Sequence, residues 1–150
     1  MKILLVEDED PKLAGIQRFL REFDLTIELA VARSVKAGIA ELRKDKPDLL
    51  LLDMSLPTFE ITSTEPGGRP QGFGGIEIVR YLDSVEAIVP TIVVSAYEAF
   101  AKDGKNIELK ELASELHGEF PAIIRGVVFF NPIHGAWSEE LADLIGSCKT

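Results

Sequence analysis

The chain has 150 residues, 46% of them hydrophobic and 27% charged, a composition typical of one globular domain with a single core. Its 25 acidic and 16 basic residues leave a net charge of −9, which disfavours binding to the phosphate backbone of nucleic acids. No stretch approaches the roughly 18 apolar residues of a membrane helix, and the first apolar run is too short for a signal peptide. Its single cysteine, Cys148, cannot form an internal disulfide. Together, these features predict a cytoplasmic protein that binds neither nucleic acid nor membrane.

Five short apolar segments are predicted to be strands. They lie at residues 2–6, 25–31, 49–52, 91–95 and 127–130. The second segment alternates apolar and polar residues, which suits a strand near the edge of a sheet. The third is a run of four leucines, which is typical of a strand buried on both faces of a parallel sheet.

Helical spacing of apolar residues follows each predicted strand. Pro11 is a suitable first helical residue, Ser34 can cap the second helix, the third begins near Gly75, and the last begins at about Ser138. A fourth helical segment contains Leu109 and its neighbours at helical spacing. This alternation predicts an α/β fold, with helices on both faces of a doubly wound, five-stranded parallel sheet and right-handed crossovers.

Two connections are longer than this fold requires. A Gly/Pro-rich insertion at about 58–74 follows the third strand, and an extended region at about 97–125 follows the fourth. The insertion is either a tolerated surface loop or a docking surface or lid over the strand ends. We predict that residues 1–150 nevertheless form one domain.

Polar residues stand where three of the predicted strands end. Glu7 and Asp8 follow the first strand, Asp53 follows the third, and Ser95 ends the fourth. Ligands bind at the carboxyl ends of strands in open α/β sheets. If the first and third strands are neighbours, three carboxylates converge, and a hard cation such as Mg²⁺ would offset their repulsion.

Three motifs in this order resemble the receiver domain of two-component response regulators. They are the acid-terminated first strand at residues 3–8, the segment 48–57 around Asp53, and the segment 90–96 around Ser95. The resemblance covers nearly the whole chain. It implies a flavodoxin-like sheet with strand order 2-1-3-4-5 and a phosphoprotein of signal transduction.

The resemblance also implies a role for each site residue. Asp53 matches the aspartate that takes a phosphoryl group from a histidine kinase, forming an aspartyl phosphate. Asp8 matches a direct Mg²⁺ ligand, Glu7 a ligand acting largely through water, and Ser55 the residue that lends its backbone carbonyl. Ser95 matches the switch hydroxyl that turns toward the phosphoryl group.

Two residues depart from the family pattern. Asn131 replaces the usual lysine before a proline, and an asparagine brings no positive charge to the site. Val128 replaces the usual tyrosine or phenylalanine, and strand alternation aims Phe129 the other way. The Asn131–Pro132 bond matches a position at which the family has a cis peptide. Candidate replacements for the missing cation are Arg69, Lys102 and Lys105.

The leading hypothesis is therefore a regulatory phosphoacceptor domain that switches partner binding, without being an enzyme that acts on a small substrate. Its partners would be a sensor histidine kinase or phosphotransfer protein, and a downstream protein or effector domain; a homodimer is left open. The alternative is a pseudo-receiver, a docking scaffold independent of phosphorylation. A Mg²⁺-dependent phosphatase is disfavoured, because Ser55 stands where such an enzyme needs a second aspartate.

Overall fold

The computed structural model describes residues 1–56, 74–102, 105–131, 133 and 135–148. Within them the chain alternates between strands and helices. In order, these elements are β1 (Lys2–Val6), α1 (Asp10–Phe23), β2 (Glu28–Ala32), α2 (Val35–Lys44), β3 (Leu49–Leu52), α3 (Gly74–Ser84), β4 (Thr91–Ser95), β5 (Ala99–Lys102), β6 (Lys105–Glu108), α4 (Leu109–Glu119), β7 (Ile124–Phe129) and α5 (Ala136–Cys148).

The main sheet has five parallel strands in the order β2-β1-β3-β4-β7. This confirms the predicted flavodoxin-like order, in which β7 takes the place of the fifth strand. β2 lies at the edge of the sheet, where one set of its side chains remains exposed. Exposed and half-buried residues therefore alternate along the strand as far as Ala32, which is buried. None of the described helices is both long and apolar enough to span a membrane.

Side chains from alternate strand residues build two separate cores, one on each face of the sheet. Leu4, Val6, Leu50 and Leu52 pack with α2, α3 and α4 on one face. The intervening strand residues, such as Leu51, pack with α1 and α5 on the other face. Every leucine of β3 is fully buried, which is why this strand has no polar residue until it ends at Asp53.

The structure differs from the sequence prediction at two strand starts. β2 begins at Glu28 rather than at residue 25, because the Asp24 carboxylate accepts hydrogen bonds from the Thr26 amide and hydroxyl and forms a turn there. Leu25 is consequently 90% exposed at the turn. β7 begins at Ile124, three residues before the predicted start at 127, because Ile124 already pairs with Thr91 of β4.

The region after β4 contains a feature that was not predicted. β5 and β6 form an antiparallel hairpin of their own, and α4 follows it directly. The insertion at about 58–74 falls outside the described residues except for Gly74, and so does Pro132, so the cis peptide at Asn131 stays untested. The single domain over residues 1–150 likewise stays a prediction.

Candidate functional site

Three carboxylates meet at the carboxyl end of the sheet because β1 and β3 are neighbours in register. Val6 lies opposite Leu52, so Glu7 and Asp53 leave the two strands at the same level. The Asp53 amide donates to Val6 O at 3.1 Å, which continues the strand pairing to the edge of the sheet. One ligand oxygen from each of Glu7, Asp8 and Asp53 lies within 4.8 Å of the others. The predicted cluster is therefore present as a geometric unit.

Burial makes the negative charge of this cluster costly. Glu7 is 1% exposed and Asp53 is 2% exposed, whereas Asp8 is half-buried. Burial, followed by the charge of Asp53, raises the pKa of Glu7 to about 7 and that of Asp8 to about 6. The Glu7 carboxylate is partly compensated, because it accepts hydrogen bonds from the amides of Asp8 and Glu9 at 3.1 Å each.

A lysine side chain also enters the cluster. The ammonium group of Lys12, from the first turn of α1, lies 2.6 Å from Glu7 Oε1 and 3.2 Å from Asp53 Oδ1. It donates a further hydrogen bond of 2.6 Å to the carbonyl of Val94 in β4. Lys12 is 3% exposed, and these three acceptors match the three hydrogens of its ammonium group.

The sequence analysis missed Lys12, although a signal was present. Lys12 precedes Ile16 by four residues and Leu20 by eight, so it lies on the face of α1 that packs against the sheet. A charged residue at such a position, just after an acidic strand end, points to a buried ion pair. Arg69, one of the predicted cations, lies outside the described residues, and so do the side chains of Lys102 and Lys105.

The two serines of the predicted site have different surroundings. The Ser55 hydroxyl donates to Asp53, with Oδ2 at 3.1 Å and Oδ1 at 3.3 Å, while the predicted role of its backbone carbonyl stays untested. Ser95 is fully buried, and its hydroxyl exchanges hydrogen bonds of 3.0 Å with the backbone N–H and C=O of Tyr97. The Tyr97 hydroxyl in turn donates to Glu9 Oε1 at 2.7 Å, which connects the loops after β1 and β4.

The two positions that depart from the family pattern lie at the end of β7. The side-chain oxygen of Asn131 accepts a hydrogen bond of 2.9 Å from the Ile133 amide, so it closes its own turn. Val128 is fully buried on the face covered by α1 and α5. Phe129 points to the opposite face, as alternation predicts, and lines a groove with Leu109 and Ala113 of α4.

Comparison with known proteins agrees with this geometry. A model described as the response regulator receiver domain matches residues 3–111. Among curated proteins, the Detocs response regulatory protein DtcB of Enterobacter cloacae (strain JD6301) is 27% identical over 148 residues, covering 94% of this chain and 95% of the relative. The uncharacterized protein y4jR of Sinorhizobium fredii (strain NBRC 101917 / NGR234) is 27% identical over 143 residues, covering 94% of each chain.

Solved structures share the fold at lower identity. A CheY-like receiver domain protein from Methanospirillum hungatei JF-1 superposes with a TM-score of 0.63 at 18% identity, covering 97% of this chain and 90% of the other. A receiver domain protein from Clostridium thermocellum gives a TM-score of 0.63 at 16% identity, covering 98% and 92%. Since the family model matches well over half of the sequence, with the sheet order and the acidic strand ends in agreement, the chain belongs to the response regulator receiver domain family.

Proposed function

We propose that this receiver domain is a regulatory phosphoacceptor that takes a phosphoryl group onto Asp53 in a Mg²⁺-dependent reaction. The observation that supports this most directly is the convergence of Glu7, Asp8 and Asp53 at the carboxyl end of the sheet. A structural role alone does not account for three carboxylates there, since their mutual repulsion and burial oppose folding.

The donor set fits a hard divalent cation. When all three carboxylates are ionised they carry a charge of −3 and the Lys12 ammonium carries +1, so the cluster then has a net charge of −2, which one Mg²⁺ would neutralise. Carboxylate, carbonyl and water oxygens are the ligands that Mg²⁺ prefers. Asp8, Asp53 and the Ser55 carbonyl would hold it directly and Glu7 through water. Bound Mg²⁺ supplies positive charge beside the phosphoryl oxygens.

In the transfer itself the Asp53 carboxylate would be the nucleophile. An Asp53 oxygen forms a bond to phosphorus while the bond between phosphorus and the histidine nitrogen of the donor breaks. The leaving nitrogen keeps the electron pair of that bond and takes a proton from solvent. The donor would be a sensor histidine kinase or a phosphotransfer protein, in keeping with the partners of the family.

The environment of Ser95 indicates how phosphorylation would be transmitted. Its hydroxyl is engaged with the Tyr97 backbone, so turning toward a phosphoryl group on Asp53 would break both of those hydrogen bonds. Tyr97 also holds the loop after β1 through Glu9. Phosphorylation would therefore loosen the loop after β4 and change the surface presented to a downstream protein or effector domain. We place this activity in the cytoplasm.

Mass spectrometry of the intact protein after incubation with acetyl phosphate tests the proposal. With Mg²⁺, the parent is expected to gain one phosphoryl group, and Asp53→Asn is expected to gain none. Asp48→Asn is the matched control, because Asp48 is an exposed aspartate at the opposite end of β3. A parent that gains no phosphoryl group, beside a receiver that does so in the same buffer, would refute the proposal.

The scaffold alternative is favoured by one observation. The Asp53 side chain is 1% exposed and already paired with Lys12, so a donor reaches it only after the surrounding residues move. A pseudo-receiver that never meets a donor has no need for that movement. In that case removal of Asp53 would leave partner binding unchanged, whereas a phosphorylation switch would lose its response to the donor.

A further inference from the structure

The buried ammonium group beside Asp53 comes from Lys12, a residue of α1. The family pattern does not place the lysine of the site in this helix. The family lysine follows the last strand of the sheet, and here that position is Asn131. Lys12 belongs to α1, and its ammonium group contacts Asp53, which lies 41 residues later in the sequence. Its contact with Val94 O places the charge between the ends of β1, β3 and β4.

The position of Lys12, which is 3% exposed, is costly for a charged side chain. An ammonium group loses its hydration on burial, and only charged or well-placed acceptors compensate for that loss. Lys12 has two carboxylates and one carbonyl as acceptors, and no buried side-chain nitrogen or oxygen in the described part of the chain lacks a partner. Its hydrogen bonds therefore fix the ammonium within contact of the Asp53 carboxylate.

The contacts of Lys12 do not use every oxygen of the cluster. Lys12 contacts Oδ1 of Asp53 and Oε1 of Glu7, whereas the other Asp53 oxygen receives only the Ser55 hydroxyl among the described residues. Lys12 forms no ion pair with Asp8, the residue that matches the direct metal ligand. Asp8 and the second Asp53 oxygen would therefore be the carboxylate ligands available to a metal ion while Lys12 keeps its contacts.

We propose that Lys12 is the fixed cation of phosphoryl transfer in this chain, in place of the lysine that Asn131 has replaced. It holds the Asp53 carboxylate before transfer and contacts a phosphoryl oxygen afterwards, which offsets the charge that the new group brings into a cluster that is already negative. This inference rests on the proposed phosphoacceptor function of Asp53. It deepens that function by naming a residue that touches the reacting group.

The test compares labelling rates with acetyl phosphate and Mg²⁺, in which an Asp53 oxygen gains phosphorus and acetate leaves with the electron pair of the broken bond. We expect Lys12→Gln to be labelled about a hundredfold more slowly than the parent, the magnitude typical of losing one preorganised electrostatic contact. Lys36→Gln is the matched control, because Lys36 is an exposed lysine in the first turn of α2. It is expected to be labelled at the parent rate.

Two further variants separate a role in transfer from a role in folding. Adding Asn131→Lys to Lys12→Gln returns a lysine to the family position, and it is expected to recover at least about tenfold of the lost rate. Lys12→Met keeps most of the side-chain length and its apolar packing, so it replaces Lys12→Gln if the amide variant does not fold. Circular dichroism establishes that each variant is folded before its rate is compared.

Calorimetric titration with Mg²⁺ alone provides a readout besides labelling. Loss of the Lys12 ammonium removes a repulsive charge, so Lys12→Gln or Lys12→Met is expected to bind Mg²⁺ more tightly than the parent by about tenfold. Parent-like labelling of the folded Lys12 variants would overturn the inference and leave the phosphoacceptor function intact. A parent that neither binds Mg²⁺ nor accepts a phosphoryl group would overturn both.

Discussion

The metal-free protein is expected to lose stability as the pH rises from about 4.5 to about 7, and the cause is the Glu7 carboxyl group. In the folded state burial raises its pKa from 4.5 to about 7, so between these values the folded protein binds a proton that the unfolded chain has released. The free energy of unfolding therefore falls with increasing pH in this window and levels off above it. Asp8 adds a change of the same sign between 3.8 and about 6.

The magnitude follows from the size of the rise in pKa. For Glu7, which is 1% exposed, a rise from 4.5 to about 7 corresponds to a loss of at most about 3 kcal/mol in the free energy of unfolding. This is a large fraction of the total stability of a small domain, which is typically about 5–15 kcal/mol.

Urea unfolding with a chelator present, at about pH 5 and about pH 8, measures this difference. Glu7→Gln cannot titrate, so its stability should depend much less on pH than that of the parent. Its single side-chain oxygen can replace either Oε1, which contacts Lys12, or Oε2, which accepts from the two amides, so the variant is also expected to be less stable than the parent at acidic pH. Glu139→Gln, which changes an exposed acid in α5, should behave like the parent. If Glu7→Gln and the parent lose equal stability between the two pH values, the assignment to Glu7 is wrong.

Three further predictions concern the metal and the local packing around the site. Mg²⁺ at about 100 times its dissociation constant should raise the free energy of unfolding, measured by urea titration, by about 2.7 kcal/mol. Asp8→Asn should lose most of this gain, whereas Asp10→Asn, which changes an exposed neighbour, should keep it. Gly75→Ala should destabilise the protein by about 1–3 kcal/mol, because a Cβ there meets the Asp53 carbonyl oxygen and lies 2.9 Å from Met54 Cα. Gly118→Ala is the control in the same assay and should be neutral or stabilising, because the space around its Cβ is open. Ser34→Ala should cost about 1 kcal/mol in thermal or urea unfolding, because the Ser34 hydroxyl accepts the Ala37 amide at the start of α2, and equal stability of parent and variant would contradict this.

The sequence by itself determined the main sheet. Strands such as β3 are short apolar runs bounded by polar residues, and α1 and α2 carry apolar residues at helical spacing, so local periodicity was sufficient to predict them. The order of these elements then restricts the topology to a doubly wound sheet, because crossovers are right-handed and short. Glu7, Asp8 and Asp53 were predictable as a cluster for the same reason, since each follows the end of a strand.

Hydrogen bonds that hydrophobic periodicity does not describe decided the remaining boundaries. The start of β2 depends on a local turn at Asp24, whereas the start of β7 depends on tertiary pairing with β4. The β5–β6 hairpin is stabilised by pairing between two four-residue strands that carry no strong pattern of their own. In each case the deciding hydrogen bonds join a segment to a partner that periodicity does not describe.

Lys12 is the residue for which this difference matters most. Its place on the inner face of α1 follows from helical spacing, but its contacts with Asp53 and Val94 join residues 41 and 82 positions apart in the sequence. Only the packing of α1 across the ends of β1, β3 and β4 brings these groups within hydrogen-bonding distance. The sequence therefore determined the three acids of the site, because each follows the end of a strand that periodicity predicts. The tertiary structure decided which cation lies among them, because contacts between residues far apart in the sequence depend on how the elements pack.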